Sequence, residues 1–106
     1  MLVLCFYVPE DALEQVKAAV FAAGAGRIGL YDQCCWQAPG QGQFRPLAGS
    51  DPAIGTHDKV ERVAEYKVEM VCEEQFIRAA VRALQEAHPY EEPAWHVLEQ
   101  VGTPPG

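Results

Sequence analysis

Glu65-Tyr66-Lys67-Val68-Glu69-Met70-Val71-Cys72-Glu73-Glu74-Gln75-Phe76-Ile77 changes periodicity partway along its length. Tyr66, Val68 and Met70 alternate with Lys67 and Glu69, the period-two pattern of a strand with one face on a core. Beyond Glu73-Glu74, the apolar residues Phe76, Ile77, Ala80, Ala83, Leu84 and Ala87 recur at helical spacing. This predicts a strand over residues 62–72 followed by a helix. His88-Pro89 ends the helix, because proline disfavours helix in the residue before it. A last strand is expected over residues 94–101.

The start of the chain has the same order. Leu2-Val3-Leu4-Cys5-Phe6-Tyr7-Val8 reads as a strand, apolar on both faces. Pro9 ends it, Glu10-Asp11 suit a helix start, and Leu13, Val16, Val20 and Ala23 recur at helical spacing until Gly24 and Gly26. A second strand is expected over residues 29–38, a turn at Pro39-Gly40-Gln41-Gly42, a short returning strand over 43–47, and a loop over 48–58.

A displacement of 63 residues lays Val8 on Val71, Glu10-Asp11 on Glu73-Glu74, Leu13 on Phe76, Val16 on Ala79 and Val20 on Ala83. Two βαβ halves in tandem give βαββαβ, an α+β ferredoxin-like sandwich with both helices on one face of a four-stranded antiparallel sheet. The hairpin at 31–47 is an extra element between the halves. Residues 1–101 form one domain and residues 102–106 a flexible tail. In this register Val3, Cys5 and Tyr7 face the helices, while Leu4 and Phe6 lie on the open face. Two large apolar residues there call for cover, by another copy of the chain or by the hairpin folding back.

The chain has 106 residues, 49% of them apolar, enough for one core. Eight basic residues against fifteen acidic ones give a net charge of −7, which argues against nucleic acid and anionic membranes as partners. The apolar run at 2–8 is too short to span a bilayer and lacks a basic leader, so a cytoplasmic location is expected. Cys5, Cys34, Cys35 and Cys72 show no Cys-x-x-Cys spacing, so all four are expected to be free thiols. Adjacent Cys34 and Cys35 in a strand point to opposite faces and are not expected to share a metal ion.

His88-Pro89-Tyr90-Glu91-Glu92-Pro93 gathers an imidazole, a phenol and two carboxylates on a proline-stiffened segment. One reading makes it a ligand-facing patch. The other has His88 interacting with a helix end and Tyr90 packing. On the first reading, His88→Ala leaves the fold largely intact. Cys34, Cys35, His57, His88 and His96 are the plausible metal ligands, but no short motif makes four of them converge. Gly40-Gln41-Gly42-Gln43-Phe44-Arg45 lacks the Walker lysine and reads as a hairpin turn rather than a phosphate loop. No catalytic residues are assigned: a cysteine–histidine pair would depend on tertiary geometry, and no nucleophile elbow or cofactor fingerprint is present.

His-Pro-Tyr-Glu-x-Pro after a helix resembles the corresponding segment of the CutA family. Gly24-Ala25-Gly26-Arg27-Ile28-Gly29, Tyr31-Asp32, Gly42-Gln43-Phe44-Arg45-Pro46, Gly49, Pro52 and Ile54-Gly55 resemble the PII-like insert domain of the YqfO-type proteins. Those belong to the Nif-three-like family, also called GTP cyclohydrolase I type 2-like. The resemblance covers nearly the whole chain. The family's larger dinuclear-metal domain is not within these residues, so its metal motifs and hydrolase activity are not carried over, and a stand-alone insert is expected. The resemblance implies a homotrimer, with a dimer as the alternative. Effector recognition would fall on residues 37–58, and residues 88–93 would lie at an intersubunit cleft. Arg27, Arg45, His88, Tyr90 and Glu91 are then the expected ligand-binding residues, with His88 and Glu91 as ligands should a divalent metal bind. The implied function is an oligomeric sensor or regulatory module for a small anionic ligand or metal ion, with a small-molecule or protein effector. The alternatives are a CutA-like metal-tolerance protein and an enzyme accessory related to the Nif-three-like hydrolases.

Overall fold

The computed structural model describes residues 1–101; the tail expected at 102–106 lies outside the described residues. Strand β1 (Leu2–Pro9) leads through a 3-10 turn at Glu10–Ala12 into helix α1 (Leu13–Ala22). Strands β2 (Trp36–Phe44) and β3 (Glu61–Cys72) follow, and β3 leads through a second 3-10 turn, Glu74–Phe76, into helix α2 (Ile77–Ala87). Strand β4 (Trp95–Glu99) closes the sheet. The strand order is β2-β3-β1-β4, with every neighbouring pair antiparallel. This is the ferredoxin-like βαββαβ arrangement.

The two halves are built alike. An extended residue, Pro9 at the end of β1 (φ −64°, ψ 151°) or Glu73 just after β3 (φ −67°, ψ 146°), precedes the 3-10 turn that tips the chain into each helix. Neither turn has a side-chain cap, so Glu10, Asp11 and Glu74 act on the helix start through charge alone. Just beyond the end of α1, Gly24 has a φ of +116° that suits glycine, and an added Cβ there would lie 2.7 Å from the Phe76 ring. Helix α2 ends at His88, extended at φ −71° and ψ 137° ahead of Pro89.

The core lies between the sheet and the helices. Leu4, Phe6 and Val8 of β1 join Val68, Met70 and Cys72 of β3, with Leu13, Val16, Val20, Ala80 and Leu84 from the helices. Burying a side chain such as Phe6 or Leu84 stabilises the fold by about 1.5–3 kcal/mol. The expected facing of β1 is therefore reversed: Leu4 and Phe6, both at 0% exposure, face the helices, and Val3, Cys5 and Tyr7 face the open side. A displacement of 64 residues, one more than expected, lays Leu4, Phe6 and Val8 on Val68, Met70 and Cys72, and Val16 and Val20 on Ala80 and Leu84. In a strand, a one-residue slip exchanges the two faces.

The extra hairpin is also corrected. Pro39-Gly40-Gln41-Gly42 makes no turn; it runs as the middle of β2, paired residue by residue with β3 from Pro39↔Tyr66 to Gly42↔Val63. An edge strand tolerates proline because one side of it needs no ladder bond. The strands expected at 29–38 and 43–47 thus become one strand, and residues 28–31 form a tight turn closed by the Ile28↔Tyr31 bridge. All four cysteines are free. Cys5 lies opposite Glu69 and Cys72 opposite Leu2, on opposite faces of the sheet, so these two are not placed to pair. Among the described residues, no helix is long and apolar enough to cross a membrane.

Candidate functional site

At one end of the sheet, the last residues of β1 lie against the first half of β3. Residues 45–60, which connect β2 to β3, fold over this end, and residues 88–94 approach it from α2. Together they enclose a cleft of about 240 Å³. Its apolar lining comes from Phe44, Pro46, Pro52, Ala53, Ile54 and Ala94, and its polar lining includes Tyr7, Gln43, Ser50, Glu65, Tyr90, Glu91 and Glu92.

Local bonds hold the covering loop. Asp58 N–H donates to the Pro46 carbonyl at 2.6 Å, Ser50 Oγ donates to the Leu47 carbonyl at 2.7 Å, and His57 Nε2 lies 2.9 Å from the Ser50 carbonyl oxygen. One bond crosses the cleft mouth: Asp51 N–H donates to Glu91 Oε1 at 3.2 Å. The Phe44 and Tyr90 rings meet at 5.9 Å, tilted by 53°. Gly42 leaves space for Glu65, because a Cβ there would overlap that carboxylate.

His88 sets the back of the site. Tyr90 N–H donates to His88 Nδ1 at 3.1 Å, so Nδ1 is the acceptor. Nε2 then carries the hydrogen and donates to the Tyr7 carbonyl oxygen at 2.7 Å. The ring is 6% exposed, and burial pushes its pKa below the usual histidine value, against the opposing effects of the Tyr7 hydrogen bond and the Glu65 charge. Both nitrogens are engaged and His88 does not line the cleft. Within one chain, then, both ring nitrogens of His88 are used to join Tyr7 to Tyr90, and the imidazole sits behind the cleft rather than in its lining.

Tyr90 and Glu91 do line the cleft. Tyr90 Oη is buried beside the Glu65 carboxylate, and among the described residues it makes no hydrogen bond of good geometry. Burial holds its phenol well above the usual tyrosine range, and the neighbouring Glu65 carboxylate adds to that shift. The phenol thus stays protonated at neutral pH. Arg45 is exposed between two lining residues, Phe44 and Pro46, and does not itself line the cleft. Arg27 is elsewhere: its guanidinium lies over the Phe76 ring at 5.8 Å, and neighbouring Gly26 bonds to Val71, at the opposite end of β3 from Glu65. Among the described residues, no Lys or Arg lines the cleft. Among the described residues, no three His, Cys, Asp or Glu side chains are grouped to hold a metal ion. Gln43, Ser50, Pro52 and Ile54 fall within residues 37–58, the stretch expected to carry effector recognition, whereas Glu65 on β3 has no signal in the sequence; the glycine, proline and serine content of 48–58 marks a loop but not where it folds.

No family model matches the chain. It is 48% identical over 100 residues to the GTP cyclohydrolase 1 type 2 homolog of Mycobacterium bovis, covering 94% of this chain and 26% of that protein. It is 41% identical over 101 residues to the Bacillus subtilis protein of the same name, covering 95% and 27%. The chain thus spans about a quarter of the length of these curated relatives. Among solved structures, the Bacillus cereus protein related to NIF3 superposes with a TM-score of 0.78 at 34% identity, over 92% of this chain and 24% of that one. CutA from Synechococcus elongatus superposes with a TM-score of 0.66 at 24% identity, over 94% and 76%. The GTP cyclohydrolase 1 type 2 homologs, which are NIF3-like, are therefore homologues of this chain over one segment, and its fold is CutA-like and PII-like.

Proposed function

We propose that this chain is a self-associating regulatory module that binds a small organic molecule in the cleft beside Tyr90. The supporting observation is the cleft itself: segments distant in sequence converge on an apolar hollow of about 240 Å³, with a buried phenol whose polar neighbour is the Glu65 carboxylate. A compact apolar hollow with a few convergent polar groups is the usual form of a small-molecule site. Glu65, Glu91 and Glu92 in the lining, with no Lys or Arg, favour a neutral or cationic ligand. An anion would need a cation from Arg45 or from another subunit.

Self-association is proposed through the open sheet face, centred on β1 and β4. Val3, Cys5 and Tyr7 stand there with His96 and with Leu98, which is 57% exposed. A trimer is the assembly that the CutA resemblance implies. The CutA-like and PII-like fold supports a binding module, and the matched segment does not bring with it the activity in the longer relatives' name.

Thermal-shift screening against nucleosides, amino acids and small amines tests the cleft, with Ile54→Trp as the variant that fills it. Compounds that raise the wild-type melting temperature should leave the folded variant's unchanged. Equal shifts in both proteins would place binding elsewhere.

A further inference from the structure

Cys34 and Cys35 lie outside the sheet, in the irregular segment before β2. Gln33 turns the chain just ahead of them with φ at 54°, the left-handed region that a residue other than glycine seldom occupies. Cys34 N–H donates to the Gly26 carbonyl at 2.8 Å, and Gly26 N–H donates to the Val71 carbonyl at 2.8 Å, so the segment is pinned to β3. The alternation that sends neighbouring strand residues to opposite faces does not apply here. Cys34 and Cys35 both line one depression of about 330 Å³, together with Val3, Ile28, Trp36 and Glu69. Cys34 is half-buried and Cys35 exposed, whereas Cys5 and Cys72 are 1% exposed, so reagents reach the adjacent pair first.

We propose that Cys34 and Cys35 form a dithiol site for a soft, thiophilic ion of the trivalent-arsenic class. Sulfur ligands select soft ions. Once one thiol has bonded, its neighbour is held at high effective concentration, so the second bond forms within the same complex and a monothiol in solution competes poorly. Among the described residues no third His, Cys, Asp or Glu completes a metal-ligand group, so a four-ligand zinc site is not built, while an ion that needs only two protein sulfurs is suited. With an arylarsenic oxide the reaction balances without a change of oxidation state. Two S–H bonds and the arsenic–oxygen bond break, two As–S bonds form, and the oxygen leaves with both protons as water.

Phenylarsine oxide, added to native protein in a large excess of glutathione, tests this. Native mass spectrometry should show one phenylarsenic group per chain, the Cys34 and Cys35 thiols should disappear from titration, and fluorescence from neighbouring Trp36 should change. Cys34→Ser and Cys35→Ser, each checked for an unchanged melting temperature, should each lose the adduct. Cys5→Ser should retain it, and excess dithiothreitol should strip it. No adduct on the folded wild-type protein, or an adduct that persists in Cys35→Ser under glutathione, overturns the proposal.

Discussion

His88 Nε2 donates a hydrogen bond of 2.7 Å to the carbonyl oxygen of Tyr7, 81 residues earlier in the chain. This one bond ties the end of α2 to the end of β1, and Nδ1 of the same ring receives the Tyr90 N–H. Removing the ring takes this partner from the part-buried Tyr90 N–H and the part-buried Tyr7 carbonyl. His88→Ala should therefore cost about 1–3 kcal/mol, the range for leaving one buried group unsatisfied, here spread over two part-buried groups. That exceeds the small effect expected of a helix-end histidine. Urea denaturation of the two proteins measures the difference, and a loss below about 1 kcal/mol would remove the bracing role.

The same ring makes stability depend on pH. Its folded pKa lies below the reference value of 6.5, chiefly through burial, so the unfolded chain binds the proton more readily. The contribution of neutral His88 is fully present above about pH 6.5 and is lost as pH falls through the lower folded value. The slope within that window is at most about 1.4 kcal/mol per pH unit. Wild-type denaturation midpoints should fall on acidification through this range, and His88→Phe should show a shallower decline. Parallel curves would mean that other groups carry the acid sensitivity.

Gly24 combines a φ of +116° with an added-Cβ distance of 2.7 Å to the Phe76 ring. Gly24→Ala should therefore lower stability by about 2–4 kcal/mol, from backbone strain and overpacking together. A melting temperature equal to wild type would show that α1 can end another way.

The order of elements was legible because β3 alternates cleanly and the two halves repeat. The facing of β1 was not, since Leu2 to Val8 is apolar throughout and has no period of two to read. The helices held the missing information: Val16 and Val20 repeat as Ala80 and Leu84 one residue beyond the register first chosen. Phe6→Ala should cost about 3–5 kcal/mol, whereas Val3→Ala, on the open face, should cost under about 1.5 kcal/mol in a dissociated subunit. The reverse order would restore the facing first expected.

Pro39-Gly40 was read as a turn because its residues suit one, but on an edge strand the same residues break nothing. The proline-stiffened segment that brings Tyr90 and Glu91 to the cleft was legible in the sequence. The bracing role of His88 was not, because it depends on Tyr7, which comes close only in the folded chain. Arg27 is a candidate by residue type alone, and the fold places it at the other end of the sheet.

Self-association through the open face is tested most directly by native mass spectrometry of the wild-type chain at micromolar concentration, beside Leu98→Glu. The wild type should appear at three times the chain mass of 11.7 kDa, or at twice that mass if the contact is a simple twofold. Leu98→Glu, folded by circular dichroism, should appear at 11.7 kDa. A wild-type spectrum holding only the 11.7 kDa species would contradict the account.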